Sequence, residues 1–427
     1  MAVRVTAAVF SSTCPRRYHA TLRLRIQAIP MPESRFSRVR VVADGIDMFG
    51  DLQGTRFHVL AFAGTRPEIV KLASLHRALL RRGPGIMAAL VLLAQHRQLA
   101  DQTIRSLDLG EMVVKWPAPS RMSMREYLSA AAAIRHFRPE IVIVQGDTRS
   151  AYQATVAAHH ARIPVAHVEA GLRTGDDSNP WPEEIYRRRI ARLAKWHFAP
   201  TASAARNLVA EGIPEAAIMI TGNTGIDTLH WVLGQPDTAL DRPVRPYVLV
   251  TVHRRESAMG GRLAGVLAAV VALARRFPDL EWVYSIHPNP AAVRAAANAA
   301  AASPPANFRA LDAFPYREFV GLVRHARLVL TDSGGLQEEA AALATPCLVL
   351  RSHTERAEGV AAGVAALIGT DPGVIVETAT ALLTDPVRLA AMAAGPMDLY
   401  GDGHASDRIC EVIEAAIRGF RSGDQVA

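Results

Sequence analysis

Cysteine is scarce: Cys14, Cys347 and Cys410 are the three in 427 residues. Widely spaced and odd in number, they form neither a disulfide framework nor a metal cluster, and they fit a reducing, cytoplasmic setting. No apolar run reaches the roughly 18–20 residues that span a bilayer, so the chain reads as soluble, with no membrane partner. The G-x-G-x-x-G fingerprint is missing as well. The first strand-like run ends in AGTRPE, which leaves dinucleotide binding without its usual support. His253 and His287 have no second His or Cys at ligand spacing, so no metal is expected.

Excess charge is confined to one end. The net charge is +8, yet residues 1–43 carry eight arginines against Glu33 alone, and the rest of the chain is nearly neutral. That distribution argues against a nucleic-acid partner. The leader also lacks the continuous apolar core of a secretory signal. It reads either as a targeting peptide or as translation from an upstream start, with Met31 or Met48 as the true one. Residues 1–54 are therefore set outside the fold, as a disordered extension or start-site artefact.

With 50 % hydrophobic residues, the chain can bury large cores. From residue 57, short apolar runs alternate with helix-like segments: FHVLAFAG, MAALVLLAQH, EIVIVQGDT and IPVAHVEAG. A second series begins at YVLVTVHRRES and continues through EWVYSIHPNP, ARLVLTDSGG, PCLVL and VAALIG. Such runs imply parallel sheets covered on both faces. The expected architecture is α/β: two doubly wound, Rossmann-like domains facing a cleft, over residues 55–224 and 225–398. The hinge is placed near Gly222–Gly225. Residues 399–427 are expected to pack a last helix back on the first domain, with Ser406 as its cap.

In doubly wound sheets, ligands bind beyond the carboxyl ends of the strands. GTRPE, AQH, QGDT, VEAG, HRRES, HPNP and TDSGG stand at those ends. Each alone is ordinary turn chemistry; seven in succession are not. TDSGGLQEEA is the clearest anion site, because Gly334 and Gly335 let backbone N–H groups approach a phosphate at a helix start, with Ser333 adding a hydroxyl. Glu338 and Glu339 sit one turn in. Both suit a helix N-terminus, and Glu339 also lies at the distance of a ribose diol. Arg66 is placed to meet phosphate, whereas Lys71 reads equally as a phosphate contact or a solvated cation. His253, Arg254 and Arg255 stand at one strand end and His287 at the next, and the adjacent arginines point to diphosphate charge.

The acidic set is Asp147, Glu169 and Glu183, with Arg187 one helical turn after Glu183. A diphosphate on the second domain would bring its sugar to these carboxylates. Removing a proton from carbon beside an activated anomeric centre needs a base, and the departing diphosphate leaves positive charge on the ring. Grouped carboxylates serve both needs.

In order, GTRPE, AQH, GDT, VEAGLRTGD, PWPEE, TGNTGID, HRRES, HPNP, TDSGGLQEE, TER and YGDGHASDRI resemble the non-hydrolysing UDP-N-acetylglucosamine 2-epimerases of glycosyltransferase B-type fold. The resemblance covers nearly everything from residue 57. It implies anti elimination of UDP to 2-acetamidoglucal and syn re-addition with C2 inverted, without metal or redox cofactor, for surface polysaccharide precursors. It also implies that Asp147, Glu169 and Glu183 are acid–base candidates, with His253 catalytic or phosphate-binding. Arg66, Lys71, His287, Ser333, Gly334, Gly335, Glu339 and Arg356 then fall on UDP-binding positions. A homodimer is implied, with Gln95, His96, Glu184 and Arg254 at positions associated with activation by UDP-GlcNAc.

The sequence departs from the family at Arg149, Ser150 and Ala151, where threonines are usual, at Ala357 and at Val252. Arg149 beside Asp147 raises the expectation of a modified sugar, such as a diacetamido or uronic acid derivative. Alternatives on the same fold are a hydrolysing epimerase, a retaining UDP-sugar glycosyltransferase and a non-enzymatic nucleotide-sugar sensor.

Overall fold

The computed structural model describes residues 57–422, except 94–96, 111–112, 117–123, 177–179, 237–242, 244, 253–261, 287–292, 296–297 and 299–303, together with strands within 25–50. Successive side chains of a strand point to opposite faces, so an all-apolar run must be covered on both. Val59, Ala61 and Ala63 enter one core while Leu60 and Phe62 enter another. Ile141 and Ile143 part from Val142 and Val144 in the same way, as do Val248 and Val250 from Tyr247 and Leu249 in the second domain.

The first sheet contains β1 (Arg25–Ala28), β2 (Val39–Ala43), β3 (Ile46–Gly50), β4 (Val59–Ala63), β5 (Ala88–Leu92), β6 (Val113–Lys115), β7 (Ile141–Gln145), β8 (Val165–Val168), β9 (Trp196–Ala199) and β10 (Ile218–Ile220). Its order is β10-β9-β8-β7-β4-β5-β6-β1-β2-β3. Neighbours from β10 to β1 are parallel, and β2 runs antiparallel to both β1 and β3. The second sheet joins β11 (Tyr247–Thr251), β12 (Glu281–Ile286), β13 (Phe308–Asp312), β14 (Leu328–Thr331), β15 (Cys347–Val349) and β16 (Ala365–Leu367). It is wholly parallel, in the order β13-β12-β11-β14-β15-β16. Both sheets are doubly wound, and the order reverses between β4 and β7 and between β11 and β14. Those are the switch points where such sheets take ligands.

Residues 1–54 were expected to lie outside the fold, yet β1, β2 and β3 extend the first sheet at its β6 edge. Arginine content masked a short-range signal there. VRVVA and IDMFG flank Asp44-Gly45, a dipeptide typical of two-residue hairpins, and the Ala43–Ile46 register fits such a link. The strands β6, β9, β10 and β13 also escape the apolar-run pattern. They are short or lie at a sheet edge; in β13 only Phe308 is buried.

Between the sheets, the Thr224–Leu233 helix is capped by Asn223, whose Oδ1 accepts from Gly225 N at 3.0 Å. The chain passes this point twice, because Asn223 N donates to Tyr400 O at 2.7 Å. The last helix, Ala405–Ser422, then returns to the first domain. There Ile409, Ile413 and Ile417 share a core with Leu72, Leu75 and Leu79. Its cap is not Ser406. Asp227, from the connecting helix, accepts from Ala405 N at 3.2 Å and Ser406 N at 2.6 Å, so a carboxylate far away in sequence fills the role assigned to the local serine. No described helix is long and apolar enough to cross a membrane.

Candidate active site

The loop after β4 is built on Glu68. Its side chain is 0 % exposed and accepts from Gly64 N at 3.0 Å, Thr65 N at 2.7 Å and Thr148 Oγ1 at 2.7 Å. Ser150 Oγ lies 3.2 Å from both of its oxygens. Glu68 thus closes a capping box with Thr65 at the start of the Arg66–Arg81 helix and also ties this loop to the one after β7. Gly64 is required at the seam, since a Cβ there would lie 2.4 Å from Ser150 Oγ. Two strand ends at the switch point are fixed together, with Arg66 and Lys71 on one side and Asp147 on the other.

After β8 the chain turns sharply, and Glu169 adopts φ +63°. A left-handed conformation is uncommon for a residue with a Cβ and marks a position held by its surroundings. Its side chain is 8 % exposed. Oε2 pairs with Lys71 Nζ and accepts from Asn223 Nδ2 at 3.0 Å, while Oε1 lies 3.1 Å from Arg356 Nη2. Burial alone would raise the carboxyl's pKa, but Lys71 and Arg356 outweigh it and hold Glu169 below the usual carboxylate range. The turn is steadied from beneath by His167. Burial drives its pKa down to about 3, and its Nε2 lies 2.8 Å from Gly146 O, next to Asp147.

Arg356 crosses from the second domain. Its Nε bonds Glu338 at 2.8 Å, and Glu355 pairs with its Nη1. Burial would lower its pKa, yet Glu338, Glu355 and Glu169 raise it, so the guanidinium stays charged. It lies against Gly334, where a Cβ would come within 2.9 Å of Nη1. Lys71 reaches the same place, its Cε 3.9 Å from a Cβ built on Gly335. The free N–H groups opening the Gly334–Ala342 helix, capped by Ser333 Oγ at 3.5 Å, therefore face one cation from each domain. Helix N–H groups beside two cations have the chemistry that suits an anion.

On the other side of Glu355 stands Arg187. It bonds Asp147 at 2.5 Å, Glu184 at 2.7 Å and Glu355 at 3.3 Å. Burial would lower its pKa, but Asp147, Glu355 and Glu184 raise it. Glu183 opens the same helix, Glu183–Leu193, and its Oε2 is buried without a hydrogen-bond partner among the described residues. Glu184 is 0 % exposed and committed to Arg187. Arg149, in contrast, lies 2.6 Å from Glu126 of a neighbouring helix, so its charge is answered inside the first domain.

At the far end of the cleft, Arg66 Nη2 donates to Phe314 O at 2.8 Å across the domains. Nearby, Tyr316 donates to Glu339 Oε1 at 2.7 Å, and burial raises Glu339 to about 7. The structure thus brings together Lys71, Glu169, Arg356, Ser333, Gly334 and Gly335, with Asp147 and Arg187 joined to them through Glu355. Gln95, His96, His253, Arg254 and His287 lie outside the described residues. Sequence reading gave no role to Asn223 or Glu355 and only a helix-end role to Glu338. The motifs TGNTGID and TER contained the first two, but nothing local shows that they meet.

Comparison with known proteins bears on family and fold. The model of the family described as UDP-N-acetylglucosamine 2-epimerase matches residues 78–414. The Escherichia coli K12 UDP-N-acetylglucosamine 2-epimerase is 39 % identical over 373 residues, covering 83 % of this chain and 98 % of its own. Among solved structures, the Neisseria meningitidis UDP-GlcNAc 2-epimerase bound to UDP-GlcNAc superposes with TM-score 0.78 at 33 % identity, over 83 % of this chain and 99 % of the other. A Staphylococcus aureus MnaA–UDP co-structure gives TM-score 0.79 at 31 % identity, over 85 % of this chain and 97 % of the other. With its two-domain glycosyltransferase B-type fold and a relative of this identity aligned over most of its length, the chain belongs to the UDP-N-acetylglucosamine 2-epimerase family.

Proposed function

We propose that the protein interconverts UDP-N-acetylglucosamine and UDP-N-acetylmannosamine without releasing free sugar. The observation that carries this reading is Glu169: a carboxylate in a left-handed turn, joined to Lys71 and Arg356 at the mouth of a helix that suits an anion. A diphosphate at Ser333–Gly335 would engage those two cations. Their hold on Glu169 would weaken, and its basicity would rise where a sugar C2 would lie.

In the first step the C2–H bond breaks, the proton passes to a carboxylate, and the C1–O bond breaks to release UDP, leaving a C1=C2 glucal. In the second, a proton reaches C2 from the opposite face and UDP oxygen re-forms the bond to C1. Glu169 acts on one of these protons. Asp147 and Glu183 serve the other face and the ring's positive charge, with Arg187 orienting Asp147 and His253 assisting the diphosphate. Arg66, Lys71, His287, Ser333, Gly334, Gly335, Glu339 and Arg356 hold UDP. The same reading takes the protein as a cytoplasmic homodimer that supplies surface polysaccharide precursors, with Gln95, His96, Glu184 and Arg254 beside an activating UDP-GlcNAc.

Incubation with UDP-GlcNAc in heavy water, followed by proton NMR, tests the reaction. UDP-N-acetylmannosamine carrying deuterium at C2 is the expected product. Free N-acetylmannosamine with UDP would replace this reading by a hydrolysing epimerase. Absence of reaction and of exchange would replace it by a modified-sugar epimerase or a glycosyltransferase. The Arg149–Glu126 pair favours the plain sugar, since that charge is already answered within the domain.

A further inference from the structure

Asn223 stands where the chain leaves the first domain and is 1 % exposed. Three of its polar groups reach four segments of the chain. The backbone N–H donates to Tyr400 O at 2.7 Å, on the returning strand of chain. Oδ1 caps the connecting helix at Gly225 N, 3.0 Å away. The amide nitrogen, Nδ2, lies 3.0 Å from Glu169 Oε2 and 2.8 Å from Glu338 Oε2. One carboxylate belongs to the first domain and the other to the second. An amide carries two N–H donors on that nitrogen and no charge, so it can bond both acids without neutralising either.

We infer that Asn223 is a positioning residue: its amide orients Glu169 against Glu338, tying the base of the first domain to a carboxylate of the second. This rests on the proton-transfer reading above. The groups facing Glu169 are Lys71 from the first domain's opening helix, Arg356 and Glu338 from the second domain, and Asp147 from the loop after β7. Lys71 and Arg356 are the charges that a bound diphosphate would draw off. Asn223 has no charge to lose. It therefore keeps Glu169 aimed while the cations turn to phosphate, and it keeps two neighbouring carboxylates apart through shared donors rather than through a proton. The left-handed φ of Glu169 gives this contact a purpose, since an otherwise disfavoured turn needs an external hold.

Asn223→Asp tests the inference, because aspartate retains the helix cap and the backbone bond while replacing both donors with a third carboxylate. Asn223→Ser also keeps a cap but adds no charge. In Asn223→Asp the acid limb of the kcat–pH profile should move up by about one unit or more, from like-charge repulsion on Glu169. In Asn223→Ser, kcat should fall roughly 10–100-fold, the loss expected for one hydrogen bond to a charged group, with little movement of the limb. UDP affinity by titration should stay within a few-fold in both. A wild-type profile and rate in both variants would overturn the inference. So would equal losses of kcat and thermal stability with no change in the pH limb, which would mark Asn223 as structural only. To separate this from failure of the proton-transfer reading, the Glu169 carboxyl can be titrated by carbon-13 NMR in the UDP complex, with Glu169→Gln for assignment. If the wild type proves inert on UDP-GlcNAc, the reaction is wrong. A raised Glu169 titration in Asn223→Asp would still uphold the positioning role, and an unchanged one would reject it.

Discussion

Glu68 and Glu169 are both glutamates of the first domain, set in loops at neighbouring strand ends, but they draw their partners from different places. Glu68 takes every hydrogen bond described for it from its own domain: two backbone N–H groups and the hydroxyls of Thr148 and Ser150. All are neutral, and burial keeps its pKa raised. Glu169 takes a lysine from its own domain, an amide from the hinge and a guanidinium from across the cleft. Two of these are cations, and its pKa is held low despite burial. A carboxylate satisfied locally by neutral donors builds a loop. One satisfied by charges from elsewhere is poised to change when those charges find another partner. Proximity to the cleft does not separate the two; the origin of their donors does.

Removing the charge from each should divide the pair most sharply. Glu169→Gln should lower turnover roughly 10²–10⁴-fold, the scale of losing an acid–base group, with UDP binding nearly kept. Steady-state rates and a UDP titration would check this, and unimpaired turnover would remove Glu169 from the mechanism. Glu68→Gln should instead cost about 1–3 kcal/mol of stability by chemical denaturation, because with its oxygen kept on the backbone N–H groups its amide nitrogen would face the Thr148 and Ser150 hydroxyls that now donate to Oε1. Its activity per folded molecule should fall far less than that of Glu169→Gln; an equal loss would erase the contrast.

Smaller effects belong to the second domain. Ser333→Ala should weaken UDP roughly 10-fold, about one hydrogen bond to an anion, while costing ~1 kcal/mol through the lost cap. Unchanged affinity would dismiss the phosphate assignment. Glu339 should appear in the pH dependence of stability. Burial and Glu338 raise its pKa from 4.5 to about 7, against the pull of Tyr316, Lys71 and Arg66. The folded chain then holds this proton more tightly than the unfolded chain. The resulting stability is full below pH 4.5 and is lost as pH rises through 7, by on the order of 1–3 kcal/mol. Glu339→Gln should flatten that decline in denaturant melts, and a decline of the same size in the variant would assign it to another group.

Much of this was legible in the order of residues. Unbroken apolar runs marked the central strands, and the polar residue ending each run marked the cleft, which is how Asp147 and Glu169 could be named. The edge strands β10 and β13 could not be read the same way, because a strand covered on one side or less carries no continuous run. Arg149 reads as a substrate determinant from its neighbour Asp147, and its ion pair with Glu126 on a different helix is not visible in the local sequence. Asn223, Glu338 and Glu355 were least visible. Their significance arises only where segments near residues 70, 169, 223, 338 and 356 converge, and no local periodicity encodes a meeting of that kind.

The central claim is that Glu169 moves a proton at C2. Its most direct test is the rate of deuterium entry at C2 of UDP-GlcNAc in heavy water, compared between the wild type and Glu169→Gln under saturating nucleotide. Exchange and epimerisation falling together, with UDP still bound, is the predicted result. Exchange that continues at the wild-type rate while epimerisation stops would contradict it and pass the C2 proton to another group.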